Sequence, residues 1–170
     1  MNHMIDSSKT TIARLFPGRR AFDLMVTISL LPLLLPVAGF VALATWVIHG
    51  WPLVFVQKRP RFRRQPFALY KSRTMTNACD EAGQLLPYSQ RQTCFGRFLR
   101  STSLDELPEL RNVLRGEMSL VGPRPLLMEY LDDYTPEPHR QHNVLPGITG
   151  WVQVNGRNAL TWEQKFSLAL

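Results

Sequence analysis

The apolar positions of this chain are concentrated near one end. No charged residue occurs from Leu24 to Ile48, and the surrounding stretch reads AFDLMVTISLLPLLLPVAGFVALATWVIHGWP. A helix of about 25 residues, rising 1.5 Å each, exceeds a hydrocarbon core of about 30 Å, so its length permits a membrane crossing. Basic residues follow the run where a signal peptide would place small residues for cleavage, so the segment is expected to stay in the protein.

Two features disfavour a simple span. Pro32 and Pro36 fall inside the run, and each removes a backbone donor and clashes with the preceding turn, which predicts a kink. Lys9, Arg14, Arg19 and Arg20 precede the run, and Lys58, Arg59, Arg61, Arg63 and Arg64 follow it, so the positive-inside rule draws both ends to the cytoplasmic side. A helix, break, helix hairpin satisfies both constraints, because legs of about 12 residues reach only about 18 Å and return from within one leaflet. A kinked single span is the alternative, since membrane helices tolerate proline.

Beyond the run the pattern changes to shorter periods. PLVFVQKRP and PFALYKSRTM have the β-branched and aromatic content of strands and flank a basic turn at Arg61 to Arg64, which predicts a small hairpin. Asn77 to Ser89 shows no periodicity and reads as a surface loop. RQTCFGRFLRST returns to helical spacing, with Arg91 and Arg97 expected on a solvated face.

Composition narrows the function. The chain has 170 residues, 45% of them hydrophobic, and a net charge of +7, which suits nucleic acid, an anionic membrane surface or a phosphorylated substrate. No helix-turn-helix pattern, zinc-ligand spacing or aromatic stacking platform accompanies the arginines, so no nucleic acid is expected as a partner. A basic collar beside an apolar run suits anionic membrane lipid. Cys79 and Cys94 match no metal spacing and read as reduced thiols.

The candidate chemistry lies in RSTSLDELPELRNVLRGEMSLVGPRP, Arg100 to Pro125. Asp105 as N-cap, or Ser103 as cap with Glu106 closing a capping box, would put both carboxylates at the positive start of a helix. Acidic residues in a first turn commonly do no more than stabilise it. Here Arg100 stands upstream, and Arg124 is held between two prolines. Arginine forks and helix amides complement phosphate, and a carboxylate beside phosphate calls for a divalent cation. The combination suggests phosphoryl chemistry with Mg²⁺, an aspartate attacking phosphorus and a glutamate removing a proton. LPGITGWVQVNGRN could bring backbone close to a ligand, or be a tight turn packed by Trp151, and Trp162 could rest at a membrane interface.

RRAFDLMVTISLLPLLLPV, LYKSRTM, RSTSLDELPELRNVLRGEMSLVGPRPLL and LPGITGWVQVNGRN together resemble the bacterial sugar transferases known as monotopic phosphoglycosyl transferases, from about Arg19 to Phe166. The likeness is nearest to the small undecaprenyl-phosphate diacetylbacillosamine-1-phosphate transferase type. It implies transfer of a sugar-1-phosphate from a UDP-sugar to a membrane polyprenyl phosphate, with release of UMP, at the cytoplasmic face of the bacterial inner membrane. It assigns Asp105 as nucleophile and Mg²⁺ ligand, forming a covalent phosphosugar intermediate, and Glu106 as the group acting on the polyprenyl phosphate. It also places the break of a re-entrant helix at Pro36, although Leu35 stands where a serine commonly precedes that proline, and Pro32 adds a second break. Arg124, Arg100, Lys71 and Arg157 are the candidate phosphate and nucleotide contacts, with plain surface charge an equal reading for Lys71 and Arg157.

The expected architecture is α+β and mainly helical. It comprises a basic segment over 1–18, a re-entrant membrane helix over 19–49 and a small cytoplasmic catalytic domain over 50–170. Family members continue past the Phe166 equivalent with an acidic residue and a helical tail, whereas this chain ends SLAL with Ala169 near that position, so a truncated tail is expected. An inactive relative serving as a membrane-bound scaffold is the competing reading. A homo-oligomer is compatible with either.

Overall fold

The computed structural model describes residues 17–125, 128 and 144–154. Lys9, Arg14, Arg157, Trp162 and Ala169, and with them the expected tail, lie outside the described residues.

The apolar run forms helix α1, Pro17–His49, whose helical assignment continues through Pro32 and Pro36. At 1.5 Å per residue its path is about 50 Å long. Buried positions recur at a spacing of four near each end, Asp23 and Thr27, then Val41 and Thr45, and none occurs from Ile28 to Phe40. The middle of α1, including both prolines, therefore turns apolar side chains such as Leu33, Leu35 and Phe40 outward. Gly50, at φ 70°, ends the helix, and its amide donates to the Trp46 carbonyl (2.9 Å), a closure that the left-handed region leaves to glycine.

The chain then makes strand β1, Val54–Pro60, a 3₁₀ turn, Phe62–Arg64, and strand β2, Pro66–Ser72. β1 and β2 pair as a two-stranded sheet. Five residues connect them, too few for a parallel crossover, and the Arg61 amide donates to the Gln65 carbonyl (2.9 Å) across the turn. This is the expected hairpin, except that Arg61 is buried while Arg64 is exposed. Helices α2, Tyr88–Arg91, and α3, Cys94–Thr102, follow; α3 fulfils the helical spacing read in the sequence. A 3₁₀ helix, Leu104–Glu109, leads into α4, Leu110–Arg115, then strand β3, Ser119–Val121, strand β4, Gly147–Thr149, and α5, Trp151–Val154. The fold is α+β.

Two compact units are built from these elements. The first takes Met1–Ser29, Gln57–Leu69 and Arg111–Leu170. Its core joins Phe67 and Leu69 of β2 to Val113 and Met118, with Leu120 and Ile148 packed against them. β3 and β4 run parallel, with Ser119 opposite Gly147 and Val121 opposite Thr149. A Cβ on Gly122 or Gly147 would collide with the other segment's backbone, so the glycines serve chain-to-chain packing. Trp151 is largely exposed.

The start of α1 is fastened within this unit. Asp23 is buried, and one of its carboxylate oxygens accepts from the Ser119 hydroxyl and the Leu120 amide, both at 3.1 Å. Arg19 donates to the Ser119 hydroxyl (3.2 Å) and the Val121 carbonyl. Arg20 donates to the carbonyls of Val113 (2.5 Å) and Leu114 (2.7 Å), capping the end of α4. Both arginines thus bind protein carbonyls, a task beyond the topological one read from their charge.

The second unit takes Leu30–Val56 and Tyr70–Leu110. Within it His49, at the end of α1, shares a hydrogen bond of 3.0 Å with the Thr93 hydroxyl. Thr93 caps α3 by accepting from the Gly96 amide (2.9 Å). Cys79 and Cys94 are free thiols.

Candidate active site

The acidic pair is positioned by the second unit from the helix cap onward. A Cβ on Gly96 would meet the backbone of Thr74, so only glycine lets α3 lie against the chain leaving β2. That approach lets Arg100, in the last turn of α3, donate from Nε to the Thr74 hydroxyl (3.0 Å). Its guanidinium also donates to the Tyr88 hydroxyl and lies 5.4 Å from that ring's centroid. Arg100 is therefore oriented by three contacts while its residue stays exposed.

Ser103, at φ 59°, ends α3 in the left-handed region and turns the chain into the 3₁₀ helix. It occupies the N-cap position without a side-chain capping bond, and the Glu106 amide donates to its carbonyl (3.1 Å). Asp105 is thus not the N-cap, and no capping box forms. The Ser103 amide is already taken by the Leu99 carbonyl, and Glu106 accepts from Lys71 instead.

Residues three apart eclipse in a 3₁₀ helix, so Glu106 and Glu109 share a face. Lys71 Nζ reaches both, 2.9 Å from Glu106 Oε1 and 3.0 Å from Glu109 Oε1. Lys71 is consequently part of a carboxylate cluster, which overturns the surface-charge reading. Glu109 escaped the sequence reading, although its three-residue spacing from Glu106 was the available signal.

Asp105 is off that face, and none of the ion pairs among the described residues engages it. Only 8% of it is exposed. Burial raises its pKa above the ordinary carboxylate value, Lys71 and then Arg100 pull it down, Glu106 pushes it up, and its own amide assists the charged form. The segment thus holds two carboxylates paired with a lysine and a third, Asp105, that is buried and outside both ion pairs.

Among the described residues, no group of three or more His, Cys, Asp or Glu side chains forms a cation cage.

Of the remaining candidates, Arg124 belongs to the first unit and is exposed. Its neighbours are tied down, since the Pro123 carbonyl accepts from the Gly147 amide (3.0 Å) and the Pro125 carbonyl from Arg59 (3.4 Å). Lys71, Arg100, Asp105 and Glu106 are brought together within the second unit, and Pro36 lies in the exposed middle of α1.

Comparison with known proteins places this geometry in context. The family described as bacterial sugar transferase matches residues 14–170. An uncharacterised sugar transferase of Bacillus subtilis (strain 168) is 51% identical over 150 residues, covering 88% of this chain and 74% of the relative. An undecaprenyl-phosphate glucose phosphotransferase of Komagataeibacter xylinus is 43% identical over 151 residues, covering 81% of this chain and 28% of the relative. A UDP-glucose:undecaprenyl-phosphate glucose-1-phosphate transferase of Escherichia coli (strain K12) is 39% identical over 143 residues, covering 81% and 31% respectively. The chain thus spans most of the first relative and less than a third of the other two.

Proposed function

The chain belongs to the bacterial sugar transferase family, and from that premise we propose that it moves a sugar-1-phosphate from a UDP-sugar to undecaprenyl phosphate, releasing UMP. The observation that carries the reading is the division of labour in the acidic turn: Glu106 and Glu109 hold Lys71 while Asp105 stays buried and outside both ion pairs. Relatives named for glucose transfer to undecaprenyl phosphate supply the substrate class.

In the first step an Asp105 carboxylate oxygen attacks the phosphorus bearing the sugar. The bond from that phosphorus to the UMP oxygen breaks, and UMP departs with the electron pair. In the second, an oxygen of the polyprenyl phosphate attacks the same phosphorus, the bond to Asp105 breaks, and the carboxylate is regenerated. Glu106 receives the acceptor's proton, if it carries one, with Lys71 orienting the carboxylate. Arg100 and Lys71 are assigned to phosphate oxygens in this unit, and Arg124, in the other unit, remains a separate candidate phosphate contact. Mg²⁺, held by Asp105 together with phosphate oxygens, would supply charge neutralisation at the diphosphate.

The same proposal makes α1 a re-entrant element at the cytoplasmic face of the inner membrane. Its start is bonded to Ser119 through Asp23 and Arg19, and its end to Thr93 through His49, each pair within its own unit. Among the described residues only α1 is long and apolar enough to cross a bilayer. Basic residues flank it on both sides, which draws both ends to the cytoplasmic face, with the proline-containing middle dipping into lipid. Pro32 and Pro36, inside the helical run, are where the proposed reversal would have to bend. After replacement of Cys79 and Cys94 by serine, Asn2→Cys and Arg64→Cys are expected to label from the same side of sealed vesicles. Labelling from opposite sides establishes a span.

The catalytic reading is tested by intact-protein mass spectrometry after incubation with UDP-sugar and Mg²⁺ without lipid acceptor. A sugar phosphate adduct is expected on the wild type and absent from Asp105→Asn. Transfer to lipid by a wild type that never carries the adduct would remove the covalent step.

A further inference from the structure

We propose that residues 46–56, the end of α1 and the start of β1, form a second membrane contact that lies in the headgroup layer of an anionic bilayer. The proposal rests on reading α1 as membrane-embedded, and goes beyond it by placing a non-helical surface of the protein in the bilayer interface.

The stretch WVIHGWPLVFV contains no Asp, Glu, Lys or Arg. Trp46, Val47, Ile48, Trp51, Phe55 and Val56 are all exposed, Trp51 to 78%. β1 begins with Val54, Phe55 and Val56, which alternate between faces yet are all exposed, whereas a strand on a soluble domain commonly buries one face. The exposure does not come from a loose backbone. The Gly50 amide is bonded to Trp46, Arg73 donates to the Trp51 carbonyl (3.2 Å), and the Arg73 amide donates to the Leu53 carbonyl (2.9 Å). A fixed backbone thus presents a contiguous run of aromatic and branched side chains outward. In water such a patch at a strand edge invites association.

The occupant follows from continuity and charge. The patch continues directly from the exposed apolar end of α1, and Lys58, exposed, follows two residues after Val56. Aromatic residues between an apolar helix and a cation match the layered polarity of an anionic headgroup region. The depth is limited by the backbone: a two-stranded sheet leaves unpaired edge groups that hydrocarbon cannot satisfy, whereas the headgroup layer supplies water and polar partners.

The test uses the full chain with a single tryptophan, reconstituted in phosphatidylcholine and phosphatidylglycerol vesicles carrying bromine either near the glycerol backbone or near the chain end. Trp51 is retained in one variant (Trp46, Trp151 and Trp162→Phe) and Trp46 in another (Trp51, Trp151 and Trp162→Phe). The expected result is loss of Trp51 emission that is greater with shallow than with deep bromine, together with protection from aqueous iodide. Iodide-accessible Trp51 emission unaffected by bromine, while Trp46 is quenched, overturns the proposal and leaves the membrane helix intact. Trp51 shielded from both quenchers overturns it in favour of a protein-covered surface, such as a second copy. Neither tryptophan quenched by lipid bromine overturns the reading of α1 as well.

Discussion

Asp23 in α1 and Asp105 in the 3₁₀ helix are both buried aspartates, and their surroundings differ in kind. Asp23 accepts from a hydroxyl and an amide of β3, so its charge is met by fixed donors and fastens the start of the membrane helix. Asp105 has its own amide and two nearby cations, with the nearest ammonium occupied by Glu106 and Glu109. Burial satisfied by donors describes a structural joint; burial that raises a pKa is what the proposal of Asp105 as nucleophile draws on. The first is expected to matter for stability and the second for chemistry.

The largest effect that would break this contrast is on turnover. Asp105→Asn should lower sugar phosphate transfer by at least about a thousandfold, because an amide is a poor nucleophile of nearly the same shape. Its unfolding temperature in detergent should not fall. Transfer retained within a few fold, measured by UMP release, would return Asp105 to the structural class of Asp23. Glu106→Gln should slow transfer to the lipid more than adduct formation.

Asp23→Ala supplies the opposite half. Removing the acceptor leaves the buried Ser119 hydroxyl and the Leu120 amide without it, a cost of about 1–3 kcal/mol. Thermal unfolding in detergent should show the loss, and Asp23→Asn, which keeps one acceptor oxygen, should lose less. An unchanged transition in Asp23→Ala would mean that water replaces the carboxylate and that the joint is not what holds α1.

How much of this contrast was legible in the sequence depends on the distance over which each contact acts. The apolar length of α1, the β1 and β2 hairpin and the spacing of α3 are local patterns, and they appear where the pattern puts them. Asp105 and Glu106 could be singled out because they are adjacent and flanked by cations. What set them apart could not be read, since Lys71 comes from β2, 35 positions away from Glu106. Ser103 takes the N-cap position, as one of the two registers had it, but in the left-handed region and without a side-chain capping bond, and no local signal distinguishes that turn from an ordinary cap. Asp23 shows the same limit: its partner is 96 positions away, and it is not among the candidate residues read from the sequence.

A shift in pH dependence comes next in size. Lys71 lowers the pKa of Asp105, so Lys71→Met should raise it further. The nucleophile must be ionised, so the acidic limb of adduct formation should move to higher pH in the variant. An acidic limb that stays in place would mean that the proton controlling the rate is not on Asp105.

The smallest effect concerns stability, and it sharpens the contrast without any turnover. The folded pKa of Asp105 is raised, chiefly by burial, above its unfolded value. The folded state therefore binds the proton more tightly, and stability falls as pH rises from the unfolded pKa through the folded one. Asp105→Asn lacks this loss. The variant should match the wild type in acid, gain on it across that window, and keep a constant advantage above the folded pKa. Because a cation bound at the carboxylate favours its charged form, Mg²⁺ should narrow the advantage at neutral pH. Denaturant unfolding of both proteins at acidic and neutral pH, with and without Mg²⁺, measures all four terms. An advantage that does not change with pH would show that burial does not raise the pKa of Asp105, and an advantage indifferent to Mg²⁺ would show that the cation reaches Asp105 only in company with the nucleotide.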